Sequence, residues 1–266
     1  MSTVELKDVS LLFEDATKSF LALDQINLKI KEGEFVCLIG PSGCGKSTLI
    51  SLLAGLNTPT SGEVLINGEP IRGTGTDRGM VFQHYSLFPW LTAKKNVTFG
   101  IKQANLFRDK TKIEKRAEEY LKKVGLEEYI DKYPYQLSGG MQQRVAIART
   151  LAMDTDILLL DEPFGAIDPK NRLALQDLTI QLCKRNGNRK ATVFVTHDID
   201  EAIILADRIV FMEPKKIGEE ISINFPEDLA RGEIIRSREY TDIRTRLMSL
   251  FYKDIGDRIG NEEVAL

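Results

Sequence analysis

The stretch GPSGCGKST at residues 40–48 is the strongest indication of the fold, because it matches the pattern G-x-x-x-x-G-K-[ST] of phosphate-binding loops. The apolar run FVCLI precedes it, and leucine and isoleucine recur at helical spacing in the residues that follow. Strand, glycine-rich loop and helix are the context that a phosphate-binding loop requires, since glycines let successive N–H groups face an anion at the helix N-terminus. We therefore expect nucleotide binding by the nine residues Gly40, Pro41, Ser42, Gly43, Cys44, Gly45, Lys46, Ser47 and Thr48.

Two motifs together predict a bound magnesium ion. In the glycine-rich loop, Lys46 is expected to reach the β- and γ-phosphates and the Ser47 hydroxyl to bind Mg²⁺. The second motif, ILLLDEP at residues 157–163, is an apolar strand that ends in two carboxylates. Asp161 suits Mg²⁺ binding, either directly or through the groups that ligate the ion. Glu162 lies one residue beyond, where we expect it to polarise an attacking water as the general base.

Length and composition limit what can surround this site. The chain has 266 residues, 42% of them hydrophobic, and a formal net charge of −3, which is ordinary for a globular protein of one or two domains. This charge does not favour nucleic-acid binding, and no apolar run approaches the roughly 20 residues of a membrane-spanning helix. The N-terminal MSTVELKDVS lacks secretory-signal features, and the three cysteines show no disulfide or zinc spacing. We expect a reducing, cytoplasmic environment.

Apolar periodicity predicts alternating strands and helices. Besides the elements around the loop, we expect strands at 4–13, 22–30, 63–66, 79–83, 157–160, 192–195 and 208–212, and helices at 110–124, 141–152 and 200–206. This alternation is typical of an α/β fold with buried parallel strands. The middle of the chain, about 87–152, lacks strong strand signals and is predicted to be a helical insertion. From about residue 236 the chain is charged and weakly periodic, and we expect a peripheral helix or a loose tail there.

A third motif, LSGGMQQR at residues 137–144, resembles the signature of the ATP-binding subunits of ABC transporters. With the other two motifs, the resemblance runs in order from about residue 4 to about residue 240. It implies a single P-loop ATPase domain at 1–240. The core of this domain, at 1–86 and 153–240, would contain a mainly parallel sheet and an N-terminal antiparallel β part. A helical subdomain would occupy about 87–152, and a C-terminal helix or tail would occupy 241–266.

The signature segment also implies a dimer. In this family the signature of one subunit closes on the ATP held by the phosphate-binding loop of the other, which gives two composite sites. The expected contacts here are Ser138, Gly139 and Gly140. A helix that begins with these residues turns its N–H groups and its positive end outward, which suits an anion. The second subunit would be an identical copy or a paralogue.

Four further site residues are carried over from the family. Gln83, in VFQ, resembles the glutamine that touches Mg²⁺ and water and links the core to the helical insertion. His197, in VTHD, resembles the switch histidine at the γ-phosphate. Asp168 resembles the aspartate of the D-loop, although GAID departs from the usual SALD. Phe13 resembles the aromatic residue that stacks on adenine, with Phe20 as its rival.

The resemblance implies an ATP-hydrolysing importer subunit that works with integral membrane permeases and, indirectly, an extracytoplasmic substrate-binding protein. PWLT at 89–92 resembles importers of nitrate, sulfonate and taurine, and Trp90 would either line the groove that receives the permease or anchor the helical insertion. The expected place is the cytoplasmic face of the cell membrane, with no nucleic-acid partner. ABC ATPases of DNA repair would need a long coiled coil between Lys46 and Asp161, and translation-type proteins would need a second phosphate-binding loop. The ATPase subunit of an importer for another small solute, or of an exporter, remains an alternative.

Overall fold

The computed structural model describes residues 2–15, 18–84, 86–185, 189–226 and 229–263. Its strands are β1 (Val4–Asp15), β2 (Lys18–Ile30), β3 (Phe35–Ile39), β4 (Ser61–Ile66), β5 (Glu69–Pro70), β6 (Arg78–Val81), β7 (Ile157–Asp161), β8 (Ala191–Val195), β9 (Arg208–Glu213) and β10 (Lys216–Ser222). Its α-helices are α1 (Lys46–Leu53), α2 (Ala93–Gln103), α3 (Lys110–Lys123), α4 (Gly139–Ala152), α5 (Pro169–Ile180), α6 (Ile199–Leu205), α7 (Arg231–Arg236) and α8 (Arg238–Glu263).

The strands form two sheets. Six strands lie in the order β10-β9-β3-β8-β7-β6, and all neighbouring pairs are parallel except β10 with β9. The other four lie in the order β2-β1-β4-β5 and are antiparallel. This architecture confirms the predicted α/β fold with a mainly parallel core sheet and an N-terminal antiparallel part.

The central strands are buried along their whole length, which explains their apolar sequences. Every residue of β3, β7 and β8 is buried, as expected where a parallel sheet is covered on both faces. Along β3, Phe35 and Ile39 enter the core shared with the helices, whereas Val36 and Leu38 enter the core shared with the antiparallel sheet. Successive side chains thus supply two cores, and the strand ends are held firmly between them.

Some elements depart from the periodicity. β6 ends at Val81, so Gln83 lies in the bend that follows and not in the predicted strand. β10 and α5 are not predicted at all, because β10 is a charged, largely exposed edge strand and α5 buries few of its side chains. α2, which lies inside the predicted insertion, has a weak apolar pattern that includes the buried polar residue Asn96.

Helices α2, α3 and α4 pack together through small and branched side chains on their inner faces, among them Val97, Ala117 and Val145. The C-terminal helix α8 packs on α6 and buries Tyr240 and Leu247. The division of the chain at residues 87, 153 and 241 stays a prediction. Among the described helices, none combines the length and the apolar character needed to cross a bilayer.

Candidate active site

The glycine-rich loop connects β3 to α1, and packing explains its glycines. Gly40, Gly43 and Gly45 have φ values of +151°, +80° and +113°, a region that side chains disfavour. A Cβ on Gly40 would lie 2.3 Å from the carbonyl oxygen of Met212 on β9. A Cβ on Gly45 would lie 2.7 Å from Leu23 Cδ2 on β2. The loop is therefore pressed between one strand of each sheet, and its course is fixed by both.

Lys46 is buried within this loop. Its Nζ donates hydrogen bonds to the carbonyl oxygens of Gly40 and Pro41 at 2.8 and 2.9 Å. Cys44, beside it, is fully buried in the core, and burial raises the pKa of its thiol. A compact ammonium ion held by backbone carbonyls places a positive charge at the loop, where an anionic phosphate gains most from it.

Two predicted metal-binding residues meet at the end of β7. Ser47 Oγ donates to Asp161 Oδ1 at 3.3 Å, so the first turn of α1 and the end of the strand are in contact. Burial raises the pKa of the Asp161 carboxyl, and the neighbouring Glu162 carboxylate also raises it, while the Ser47 hydrogen bond opposes both. Hydroxyl and carboxylate oxygens are ligands that Mg²⁺ prefers, so the donor atoms present fit this ion.

Glu162 is the meeting point of three chain segments. Its φ of +47° is left-handed, which turns the residue out of the line of β7. Gln83 Nε2 donates to Glu162 Oε2 at 2.9 Å, and His197 Nε2 contacts Glu162 Oε1. The carboxylate is thus held on both oxygens, with the strained backbone that clusters at functional sites.

These side chains border one open pocket of about 390 Å³. Its lining consists of Phe20, Ala22, Ser42, Gly43, Gly45, Lys46, Ser47, Thr48, Gln83, Glu162 and His197. Phe13 is not part of that lining. It lies directly opposite Phe20 in the hairpin, but β2 is the edge strand that touches the loop at Gly45, whereas β1 is one strand further away. The geometry therefore favours Phe20 over the predicted Phe13.

The signature residues lie apart from this pocket. Ser138 is exposed and caps α4 by accepting a hydrogen bond from the Met141 N–H at 3.3 Å. A Cβ on Gly140 would lie 3.1 Å from the Ala166 carbonyl oxygen, so the turn abuts the D-loop segment. Asp168 caps α5, and hydrogen bonds from Asn171 lower its pKa. The start of α4 is therefore separate from the pocket within one chain.

Residues 23–165 match the family model described as "ABC transporter". The chain belongs to the ABC transporter family. As an ABC cassette it is an ATPase. A solved structure of a dimeric ATP-binding cassette with bound ADP and Pi is similar to it, with a TM-score of 0.77 and 37% sequence identity. The match covers 84% of this chain and 100% of the chain in that structure.

Curated relatives match almost the whole ABC cassette. An uncharacterized ABC transporter ATP-binding protein of Methanocaldococcus jannaschii is 44% identical over 95% of this chain and 92% of its own length. The nitrate import ATP-binding protein NrtD of Synechocystis is 45% identical over 85% of this chain and 84% of its own. The bicarbonate transport ATP-binding protein CmpC of Synechococcus elongatus is 47% identical over 86% of this chain and 35% of its own.

Three residues of this ABC cassette join α4 to the segment around Gln83, and sequence reasoning missed them. Thr150 Oγ1 donates to the Met80 carbonyl oxygen at 3.2 Å. Nε2 of the buried Gln143 donates a longer hydrogen bond to the Phe82 carbonyl oxygen at 3.5 Å. Arg149 Nη1 donates to the Ser86 carbonyl oxygen at 2.9 Å, and burial lowers the pKa of its guanidinium. Their only sequence signal was their polar character on the inner face of a helix. They connect the signature helix to the glutamine beside the pocket.

Proposed function

We propose that this chain powers an importer for a small anion, such as nitrate, bicarbonate or a sulfonate, and that two copies close around two MgATP. The supporting observation is the convergence of Lys46, Ser47, Gln83, Glu162 and His197 on one pocket. The similarity to NrtD and CmpC supports the anion, together with the PWLT segment.

The proposed binding step uses the glycine-rich loop. Its N–H groups and the positive end of α1 hold the phosphates, with Lys46 at the β- and γ-phosphates. Ser47, Asp161 and the Gln83 amide oxygen would hold Mg²⁺, which neutralises charge on the transferred phosphoryl group. Phe20 offers an exposed ring for adenine at the rim of the pocket.

The proposed hydrolytic step uses Glu162. Its carboxylate would accept a proton from the attacking water, while Gln83 and His197 keep it in place through the contacts they make with its two oxygens. A base held on both sides loses little orientation during the reaction, which is the benefit of a preorganised site. His197 is half-exposed, which suits a group that must also meet the γ-phosphate.

The proposed dimer completes each site from the other subunit. Ser138, Gly139 and Gly140 would bring the N-terminus of α4 to the γ-phosphate bound by the partner, and Asp168 would lie beside the same interface. The subunits would be identical or paralogous. Closure on ATP and reopening after hydrolysis would supply the motion that alternates permease access.

The proposed permease contact lies on the helical insertion. Trp90 is 69% exposed and its ring contacts that of Phe88, with the ring centroids 5.5 Å apart. Phe88 also contacts Phe99, with the ring centroids 4.7 Å apart. Exposed aromatic clusters are typical of docking surfaces, because they supply apolar area with little conformational cost. This docking would hold the chain at the cytoplasmic face of the membrane, with an extracytoplasmic binding protein on the other side.

The proposal is tested by reconstituting the chain with a membrane permease that copurifies with it. We expect ATP hydrolysis to rise when a binding protein loaded with nitrate, bicarbonate or taurine is added, and to vanish in Lys46→Ala. Stimulation by none of these anions, with stimulation by an unrelated solute, would contradict the anion assignment. Transport that needs no binding protein would favour an exporter.

A further inference from the structure

A buried carboxylate supports the turn that carries His197. Glu201, on α6, is only 6% exposed. Its Oε2 accepts a hydrogen bond from the Thr196 hydroxyl, whose oxygen accepts in turn from the Asp198 N–H at 3.0 Å. Asp198 caps the same helix by accepting from the Glu201 N–H at 3.0 Å. His197 therefore lies between two residues that Glu201 holds.

The second oxygen of this carboxylate is held from α5. Gln176, 4% exposed, donates from Nε2 to Glu201 Oε1 at 2.7 Å. The helix that carries Gln176 is α5, which begins at Pro169, directly after its cap Asp168. Near the start of the same helix, Arg172 Nη1 lies 3.9 Å from Asp198 Oδ2. The carboxyl group of Glu201 therefore joins the turn that carries His197 to helix α5.

The connection continues to the C-terminal part of the chain. Arg231, at the start of α7, donates to Gln176 Oε1 at 2.6 Å and to Asp177 Oδ1 at 2.8 Å. A guanidinium can only donate, so Gln176 Oε1 faces Arg231 and Gln176 Nε2 faces Glu201 Oε1, which fixes the orientation of the amide. Three consecutive hydrogen bonds thus run from Thr196 through Glu201 and Gln176 to Arg231. We call these four residues the relay.

A separate attachment of the C-terminus offers a control. Asp200, on the same helix α6, accepts from the Tyr240 hydroxyl at 2.6 Å and from Arg244 Nε at 2.8 Å. Both donors lie on α8. This contact holds the C-terminal region against α6 without touching Thr196, Glu201 or Gln176.

We propose that Glu201, Gln176 and Arg231 are positioning residues for His197, and that α7 thereby influences the rate of ATP hydrolysis. Buried polar groups tolerate few arrangements, because each unpaired donor or acceptor is costly. When Arg231 is lost, the Gln176 amide can turn, and Glu201 then holds Thr196 less firmly. His197 would consequently meet Glu162 less often in the hydrolytic geometry. A partner that moves α7 would change turnover by the same route. The inference rests on the proposed role of His197.

The test uses the full chain and measures kcat, the KM for ATP and the thermal midpoint of each variant. Arg231→Met removes the hydrogen bonds of the guanidinium while Gln176 and Glu201 stay unsubstituted. Gln176→Leu breaks the middle of the relay. We expect kcat to fall about five- to tenfold with KM within about twofold, and Arg231→Lys to recover part of the loss. If Gln176→Leu does not fold, Arg231→Met still decides. Tyr240→Phe, the matched control, should leave kcat unchanged.

A double-mutant cycle with His197→Ala identifies the route. If the relay acts through His197, Arg231→Met should reduce the residual single-turnover rate of His197→Ala by less than about twofold. An equal loss in both backgrounds would overturn the inference, and so would a normal kcat in Arg231→Met while His197→Ala is inactive. Wild-type turnover in His197→Ala itself would instead refute the proposed role of His197, and the relay with it.

Discussion

The replacement Gly40→Ala tests whether packing, rather than nucleotide contact alone, fixes the phosphate-binding loop. The Cβ of the new residue would lie 2.3 Å from the Met212 carbonyl oxygen and 3.1 Å from Cys44 Sγ. The first atom belongs to the backbone of β9, which is paired with β3 and cannot move without disturbing the core sheet. Either the glycine-rich loop or strand β9 must therefore shift to admit the methyl group.

The matched control is Gly68→Ala, in the Asn67-Gly68 turn between β4 and β5. Gly68 also has a positive φ, +82°, but within the described chain no heavy atom would lie within 4 Å of its Cβ. Its cost is therefore the left-handed conformation alone, about 1 kcal/mol. Gly40→Ala carries that cost and an overpacking cost of about 1–3 kcal/mol. At about 2–4 °C per kcal/mol for a chain of this size, we expect midpoints lowered by about 2–4 °C and about 4–16 °C respectively.

The assay is thermal unfolding followed by circular dichroism, with titration of a fluorescent ATP analogue on the same samples. Gly40→Ala should also lose nucleotide affinity, because the shifted loop no longer aligns its N–H groups, while Gly68→Ala should bind as the wild type does. Equal midpoints for the two variants, with nucleotide affinity retained in Gly40→Ala, would refute the argument from packing.

Three further predictions concern the rim of the site and its partners. Phe20→Ala should weaken binding of a fluorescent ATP analogue by up to about tenfold through lost stacking, and Phe13→Ala by less than about twofold; equal effects would contradict the pocket geometry. Ser138→Ala removes the α4 cap, so the free energy of unfolding should fall by about 1 kcal/mol and light scattering should detect less ATP-dependent dimer. An unchanged dimer would count against the composite site. Trp90→Ala should keep the ATPase activity of the isolated chain but lose permease copurification, and normal copurification would leave Trp90 as an internal anchor.

The parts of the fold that the sequence predicted are those that local patterns determine. The strands around the glycine-rich loop and before Asp161 are buried on both faces, so their apolar runs stand out. Edge strand β10 is charged and mostly exposed, and it gives no such signal. Helix α5 has the same weakness, since its buried positions include polar Gln176 and Thr179.

The site shows a similar division. The motif residues were named from local sequence and family resemblance, and the structure brings many of them to one pocket. The choice between Phe13 and Phe20 depends on strand order, because the two are opposite each other and only β2 borders the loop. Periodicity could not reveal that order. The relay was also invisible, because Gln176 and Arg231 are 55 positions apart and lie on different helices.

Glu162 is the proposed base of an ATP-hydrolysing composite site. Glu162→Gln keeps the size of the side chain and one acceptor oxygen, while removing the negative charge that accepts a proton. The most direct measurement is steady-state ATP hydrolysis of this variant, together with ATP affinity and dimer formation in the presence of Mg²⁺. We predict wild-type affinity, a stable ATP-bound dimer and a turnover lowered by about 10²- to 10⁴-fold. Turnover within a few fold of the wild type would show that Glu162 is not the base.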